Sequence, residues 1–459
     1  MFVALVVAVV GSLGAPLITS VATAFGVSLS SAQWTLTVTL LAGAIATPVL
    51  GRLGAGTRRR RVIVGTLAVV VAGGILTVWP PSFAWLLVGR AAQGVGLGLT
   101  ALTMGVARDH VAPGKSASTI ALLSVASTVG IGVGYPLAGL LTDLAGLRAA
   151  YGLGLLISAA ALVAAWSTVP EAPPGRPGSV DVAGAVLLGA GLLALLLVIS
   201  QSSLWESQRV ATAVLLAVAV VMLAGWVWWE RRAAAPLVDL ALLRHPAVTW
   251  ANVIMLLGGI GMYLLLTLVT RYVQTPASAG YGFDASVFVS GLVLVPFSAL
   301  GFVGGKITPP LRHRAPETAV LAGGAAVVLS ALVLFALTRS RLWESFAVMA
   351  LLGLGVGTFS AAMPGTILAV TPAGETSSAM SFNQVVRSVG FAIGSALSGL
   401  ILSAHTNAGT EGERFPTDHG YSVAAWAGAA TMAATVTVSV LLLLRRRPRG
   451  PLVRRGRPR

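Results

Sequence analysis

Residues 94–119 read "GVGLGLTALTMGVARDHVAPGKSAST" and residues 353–378 read "GLGVGTFSAAMPGTILAVTPAGETSS". Three glycines open each stretch with the same spacing. Gly94, Gly96 and Gly98 correspond to Gly353, Gly355 and Gly357 at an offset of 259, which Pro113 and Pro372 share. At an offset of 260, Gly130, Gly134 and Gly139 correspond to Gly390, Gly394 and Gly399. More weakly, "GRLGAGTRRRR" from Gly51 resembles "GFVGGKITPPLRHR" from Gly301, each a glycine-rich segment running into basic residues. Long segments that recur in order mark an internal duplication.

The duplicated material is apolar. Of 459 residues 56% are hydrophobic and only 10% charged, with mean hydropathy +0.89. Apolar runs near 20 residues recur along the chain, and about 20 helical residues cross the ~30 Å hydrocarbon core. Backbone polar groups must be satisfied within each such run, so the runs are helices. Fourteen spans are expected, near 2–21, 33–50, 62–79, 83–107, 118–141, 148–168, 182–200, 210–229, 249–271, 286–305, 317–338, 345–370, 377–403 and 421–444. The fourth and fifth recur as the twelfth and thirteenth. The unit starts on the same side each time, which makes a parallel repeat of two six-span halves. This divides the chain into an N-terminal half (1–169), a linker with inserted spans seven and eight (170–232), a C-terminal half (233–444) and a basic tail (445–459). Met1 opens into an apolar run without a charged lead, so residues 2–21 read as a true span rather than a signal peptide, with room for a few residues upstream.

Net charge is +16, but its placement argues against nucleic acid. Sorted by alternate loops, 22 of the 30 Lys and Arg fall on one side, 6 on the other, and Arg90 and Arg387 lie inside spans. The larger group includes Arg58 to Arg61 and eight arginines of the tail. The positive-inside rule therefore places both termini in the cytoplasm of a multi-pass cell-membrane protein. Tryptophans at span ends, including Trp79, Trp85, Trp228, Trp229 and Trp343, fit an interfacial belt. The chain has no cysteine, which excludes disulfides and thiolate chemistry. Its five histidines fall in or beside loops, away from where a haem or metal site in the bundle would want them. No cofactor or metal is expected, and no hydrolytic triad or paired carboxylate lies within a span. "GKS" at 114–116 lacks the upstream glycine of a P-loop, and "GVGLG" follows no strand. Nothing suggests an enzyme.

Two six-helix halves in parallel repeat resemble the major facilitator superfamily. Fourteen spans with a central pair resemble its drug:proton antiporter branch, as do "PLVDLALLRHP" and "NQVVRSVGFAIG". The loop after the second span resembles the superfamily's Gly-x-Leu-x-Asp-x-x-Gly-Arg pattern at Gly51, Leu53 and Arg59. Ala55 stands in place of its aspartate, and Asp109 is the nearest substitute. "GRAAQG" resembles the family's Arg-x-x-Gln-Gly, carried by Arg90, Gln93 and Gly94. Gly130, Gly134 and Gly139 resemble the antiporter signature, with Pro136 one place late. Small residues at such spacing let helices approach closely, and the proline permits a bend.

An arginine mid-span costs roughly 2.5 to 3.5 kcal/mol on insertion scales and is by default a functional candidate. Gln93 shares a helical face with Arg90, and Asn383 and Gln384 share one with Arg387. With Asn252 and Tyr263 these are the candidate substrate and proton pathway, facing a cavity between the halves. All fourteen acids lie at or beyond span ends, so the proton carrier is open, with Asp143 among the nearest. The resemblance implies a monomeric exporter of hydrophobic, often cationic, small molecules in exchange for protons, of the kind that confers antibiotic resistance. A transporter of one metabolite, or a non-transporting membrane scaffold, are the alternatives.

Overall fold

The structure, a computed structural model, describes residues 2–14, 17–27, 29–54, 58–111, 119, 123, 130, 134–169, 181–200, 208–234, 236–237, 240, 245–368, 376–408 and 414–445. The helices are α1 (Phe2–Ser12), α2 (Ile18–Phe25), α3 (Leu29–Ala32), α4 (Trp34–Leu53), α5 (Arg59–Val78), α6 (Phe83–Val95) and α7 (Leu99–His110). After α8 (134–145) come α9 (Leu147–Thr168), α10 (Val182–Ser200), α11 (Arg209–Glu230), α12 (Pro246–Gln274), α13 (Val287–Val293), α14 (Val295–Arg312), α15 (Glu317–Leu337), α16 (Leu342–Leu368), α17 (Thr376–Ala404) and α18 (Asp418–Arg445). Twelve helical segments among the described residues are long and apolar enough to cross a membrane, and each falls on an expected span. The span expected at 118–141 lies mostly outside the described residues, as does the basic tail beyond Arg445.

Three spans differ from a single straight helix. The run 2–21 is not one helix: α1 ends at Ser12, Leu13 and Gly14 turn, and α2 starts at Ile18. The cause is legible in "GAP" at 14–16, because proline has no N–H to continue a helix and restricts the residue before it. Between α6 and α7 the Gly96–Gly98 segment tightens to a 3₁₀ turn. The run 286–305 breaks at Leu294 and restarts in α14 with Pro296 in its first turn, where a missing N–H does no harm. One element was not expected in an all-helical chain. Strands β1 (Thr406–Ala408) and β2 (Arg414–Pro416) pair antiparallel, Thr406 opposite Pro416, as a small hairpin between α17 and α18.

The glycine repeat explains the packing. A Cβ on Gly96 would lie 2.8 Å from the Val70 side chain, and one on Gly355 2.6 Å from that of Val328. Gly94 abuts the Thr39 backbone, and its counterpart Gly353 abuts that of Phe297. So α6 crosses α4 and α5 as α16 crosses α14 and α15. Around these crossings the contacts fall into two groups: α1, α4, α5, α6, α7 and α9, with α8 through Ala138, in one, and α12 to α18 in the other. They meet along α4 and α17, and again where a Cβ on Gly139 would lie 2.6 Å from the Val287 carbonyl oxygen. Helices α10 and α11 pack on each other, and α10 lies in the groove between α4 and α17 through Leu188, Leu192, Leu41 and Ala392.

Apolar side chains cover the outside as well as the core. Val210 is 78% exposed and Leu156 70%, which in water would be a large unfavourable surface but suits lipid. Trp79, Trp85, Trp228 and Trp343 are exposed near helix ends, as an interfacial belt requires. Apart from the hairpin, this is an all-helical integral membrane fold among the described residues.

Candidate functional site

Two ends of the bundle can be told apart. One carries Arg58 to Arg61, Arg312 and Arg314, and is called the basic end. The other carries the 79–82 turn and the β-hairpin, and is called the hairpin end.

Arg90 is fully buried. Its Nε donates to the Thr35 carbonyl at 3.2 Å, Nη1 to the Val10 carbonyl at 3.1 Å and to Gln93 Oε1 at 2.8 Å, and Nη2 to the Gly11 carbonyl at 3.4 Å. Val10 and Gly11 lie in the last turn of α1, whose carbonyls have no helical partner and form the negative end of its dipole. Gln93 donates onward to Thr77 Oγ1 at 3.3 Å. The guanidinium thus joins α1, α4 and α6 using neutral acceptors alone. Gly14 makes room for it, since a Cβ there would lie 2.6 Å from Nη2. The expected placement of Arg90 and Gln93 on the cavity between the halves needs correction. Neither lines it, because the break in α1 offers the guanidinium closer acceptors inside the first group.

The cavity itself lies between the two groups. From the first group Val7, Ala8, Gly11, Leu40 and Leu97 line it. From the second come Met262, Tyr263, Phe297 and Val356. One face of α17 adds Gln384, Arg387, Ser388 and Phe391. Tyr263 stacks on Phe391 with ring centroids 5.0 Å apart. The Arg387 guanidinium sits 5.7 Å from the Phe391 ring centre, and its buried Nε has no hydrogen-bond partner among the described residues. The lining holds no carboxylate among the described residues.

Of the expected pathway residues, then, Tyr263, Gln384 and Arg387 reach the cavity. Asn252 and Asn383 do not: Asn383 Nδ2 donates to Asn252 Oδ1 at 3.0 Å, a buried pair that fastens α12 to α17. Asp143 is exposed and accepts from the Phe288 N–H at 3.3 Å. A carboxylate at the start of α13 meets that helix's positive dipole end. Its contact joins the two groups at the hairpin end. So do Gln33, whose Nε2 donates to Ser395 Oγ at 3.0 Å, and Thr19, which donates to Gln274 Oε1 at 3.5 Å. Gly291 packs there on Pro136. Beneath these contacts the cavity runs toward the basic end, reaching Thr47, Thr100 and Ser360.

The motif residues hold helices together. Gly130 receives the Ala8 and Val9 backbone of α1, and Gly134 is buried in α8. Gly51 and Leu53 end α4, and Arg59 Nε returns to the Gly54 carbonyl at 3.3 Å. Asp109 lies on α7, its side chain outside the described residues.

Sequence reasoning missed a second cluster. Arg339, expected only as a loop charge, forks onto Asp418 at 2.7 and 2.6 Å and also donates to Ser422 Oγ. Burial works against its charge, but Asp418 outweighs this and holds its pKa above the usual arginine value. Tyr281 donates to the Pro416 carbonyl beside it, tying the 275–286 loop to the hairpin. Glu230 is also buried, accepting from Trp226 Nε1 at 3.0 Å, although it ends its helix. Asp418 lies 79 residues from Arg339 and left no local signal for that pair, whereas Trp226 lies only four residues before Glu230 on the same helix.

Comparison with known proteins gives a consistent picture. The sequence pattern of the Major Facilitator Superfamily matches residues 1–395. Multidrug resistance protein Stp of Mycobacterium tuberculosis is 29% identical over 360 residues, 77% of this chain and 65% of that protein. The chain thus spans somewhat less than two thirds of that relative. The tetracenomycin C resistance and export protein of Streptomyces glaucescens is 27% identical over 396 residues, 85% of this chain and 71% of that one. The crystal structure of the human organic anion transporter MFSD10 (TETRAN) superposes with TM-score 0.64 at 15% identity, covering 95% of this chain and 97% of its own, a likeness of fold.

Proposed function

The chain belongs to the Major Facilitator Superfamily, and we propose that it is a secondary active transporter exporting hydrophobic small molecules by alternating access. One observation carries this reading: an apolar cavity formed by both helix groups, with contacts between the groups at the hairpin end and its reach toward the other. Rocking one group on the other would exchange the open end. The reading assigns 1–169 and 233–444 as six-helix halves, with α10 and α11 as an inserted pair, fourteen spans in all. It puts the basic end and both termini in the cytoplasm, following the arginine bias. In this reading the cavity loads from the cytoplasm or inner leaflet. The multidrug resistance and antibiotic-export relatives support export as the direction. Protons are the coupling ion in this reading. With no acid in the described lining, they act at sites outside it or on the substrate. A drug-susceptibility panel in an efflux-deficient bacterial host tests the proposal. Expression should raise tolerance to several unrelated lipophilic compounds by about fourfold or more. Unchanged tolerance across the panel, with the protein present in the membrane, would refute export of drugs and favour transport of one metabolite.

A further inference from the structure

Charge in the cavity points to a substrate class. Arg387 is the only charged side chain among its described lining residues, and no carboxylate answers it. A second positive charge stands just behind the wall, because Arg90 donates to the carbonyl of Gly11, which itself lines the cavity. All four acceptors around Arg90 are neutral oxygens. Neither guanidinium is thus neutralised where it sits. In a low-dielectric cleft of one sign the field is concentrated rather than screened, so a lipophilic cation entering here would meet repulsion. An anion would meet the Arg387 side chain with Gln384 and Ser388 beside it. Next to that donor the stacked Tyr263 and Phe391 rings form an aromatic wall.

We propose that the preferred substrates are lipophilic organic monoanions with an aromatic body, the anionic oxygens on Arg387 and the rings against Tyr263 and Phe391. The proposal rests on the export reading and narrows it. It reverses the cationic preference that the family resemblance implies. It also gives Arg387 a reason to lie mid-span: the guanidinium is a permanent charge, and charge-assisted hydrogen bonds to carboxylate or sulfonate are the stronger kind.

The test uses purified full-length protein and three dansyl probes on one linker, ending in a carboxylate, its methyl ester or a trimethylammonium. Binding is read by dansyl fluorescence, and transport by uptake into everted vesicles. The carboxylate is expected to bind about tenfold more tightly than the ester, as one charge-assisted hydrogen bond would give, and the ammonium more weakly than either. Arg387→Gln should bring the carboxylate and ester affinities to within about twofold, whereas Arg387→Lys should keep the order. Dodecanoate should displace the carboxylate probe poorly, since it carries the charge without the rings. Ester and ammonium bound and transported while the carboxylate is excluded would overturn the anion preference and leave the export reading standing. A carboxylate advantage that survives in Arg387→Gln would overturn the role of Arg387. Equal displacement by dodecanoate would overturn the aromatic requirement. If none of the three probes binds or is transported, both this proposal and the export reading fail at this cavity.

Discussion

Without the Arg90 guanidinium, the carbonyl of Val10 and the amide oxygen of Gln93 each lose a donor in a buried place. A buried polar group left without its partner costs about 1–3 kcal/mol. Arg90→Ala is therefore expected to lower stability by at least about 2 kcal/mol, read as a fall in the thermal midpoint of purified protein, and to abolish transport. Membrane insertion should survive, since the segment becomes more apolar. Lysine restores the charge but not the planar fork that serves three helices at once, so Arg90→Lys should recover only part of both. A thermally unaltered, fully active Arg90→Ala would show that the four hydrogen bonds carry no weight. The sequence revealed that Arg90 and Gln93 share a helix face, because spacing fixes that. It did not reveal which neighbour the face meets. The broken end of α1 decides this, and "GAP" at 14–16 sits inside an apolar run whose length alone predicts one unbroken span. Arg387 shows the converse: its face was equally legible, and it does reach the cavity.

At the level of helices, the duplicated glycines make a sharper claim than duplication alone. Gly94 and Gly353 meet backbone of the neighbouring helix, Thr39 in one case and Phe297 in the other. Backbone cannot turn aside as a side chain can. Alanine at either position should thus force two helices apart, costing about 1–3 kcal/mol by overpacking, with similar loss in both variants. Gly323→Ala is the internal comparison, because nothing lies within 4 Å of a Cβ there. Alanine favours helix over glycine by up to about 1 kcal/mol, so this variant should be neutral or slightly stabilised. Thermal midpoints of the three purified variants check the set, and a Gly94→Ala as stable as Gly323→Ala would contradict the crossing. Helix positions were legible because hydropathy and length are local properties, and the glycine spacing was legible because close helix crossings require it. The hairpin and the Arg339–Asp418 fork were not, since their strands are short and their partners lie 79 residues apart.

For the whole molecule the central claim is that transport requires the two helix groups to separate at the hairpin end. Gln33 of α4's entrance and Ser395 of α17 touch across that divide, and the chain contains no cysteine that would confuse a crosslink. Asp143 bridges the same end through the Phe288 N–H. The deciding measurement is uptake of a lipophilic fluorescent substrate into everted vesicles under an imposed pH gradient, using Gln33→Cys with Ser395→Cys before and after oxidation. The account predicts gradient-driven uptake in the reduced protein, its loss on disulfide formation, and recovery with reductant, while each single cysteine variant is insensitive to oxidation. Undiminished uptake by fully crosslinked protein would contradict it, because substrate would then be crossing without the hairpin end opening.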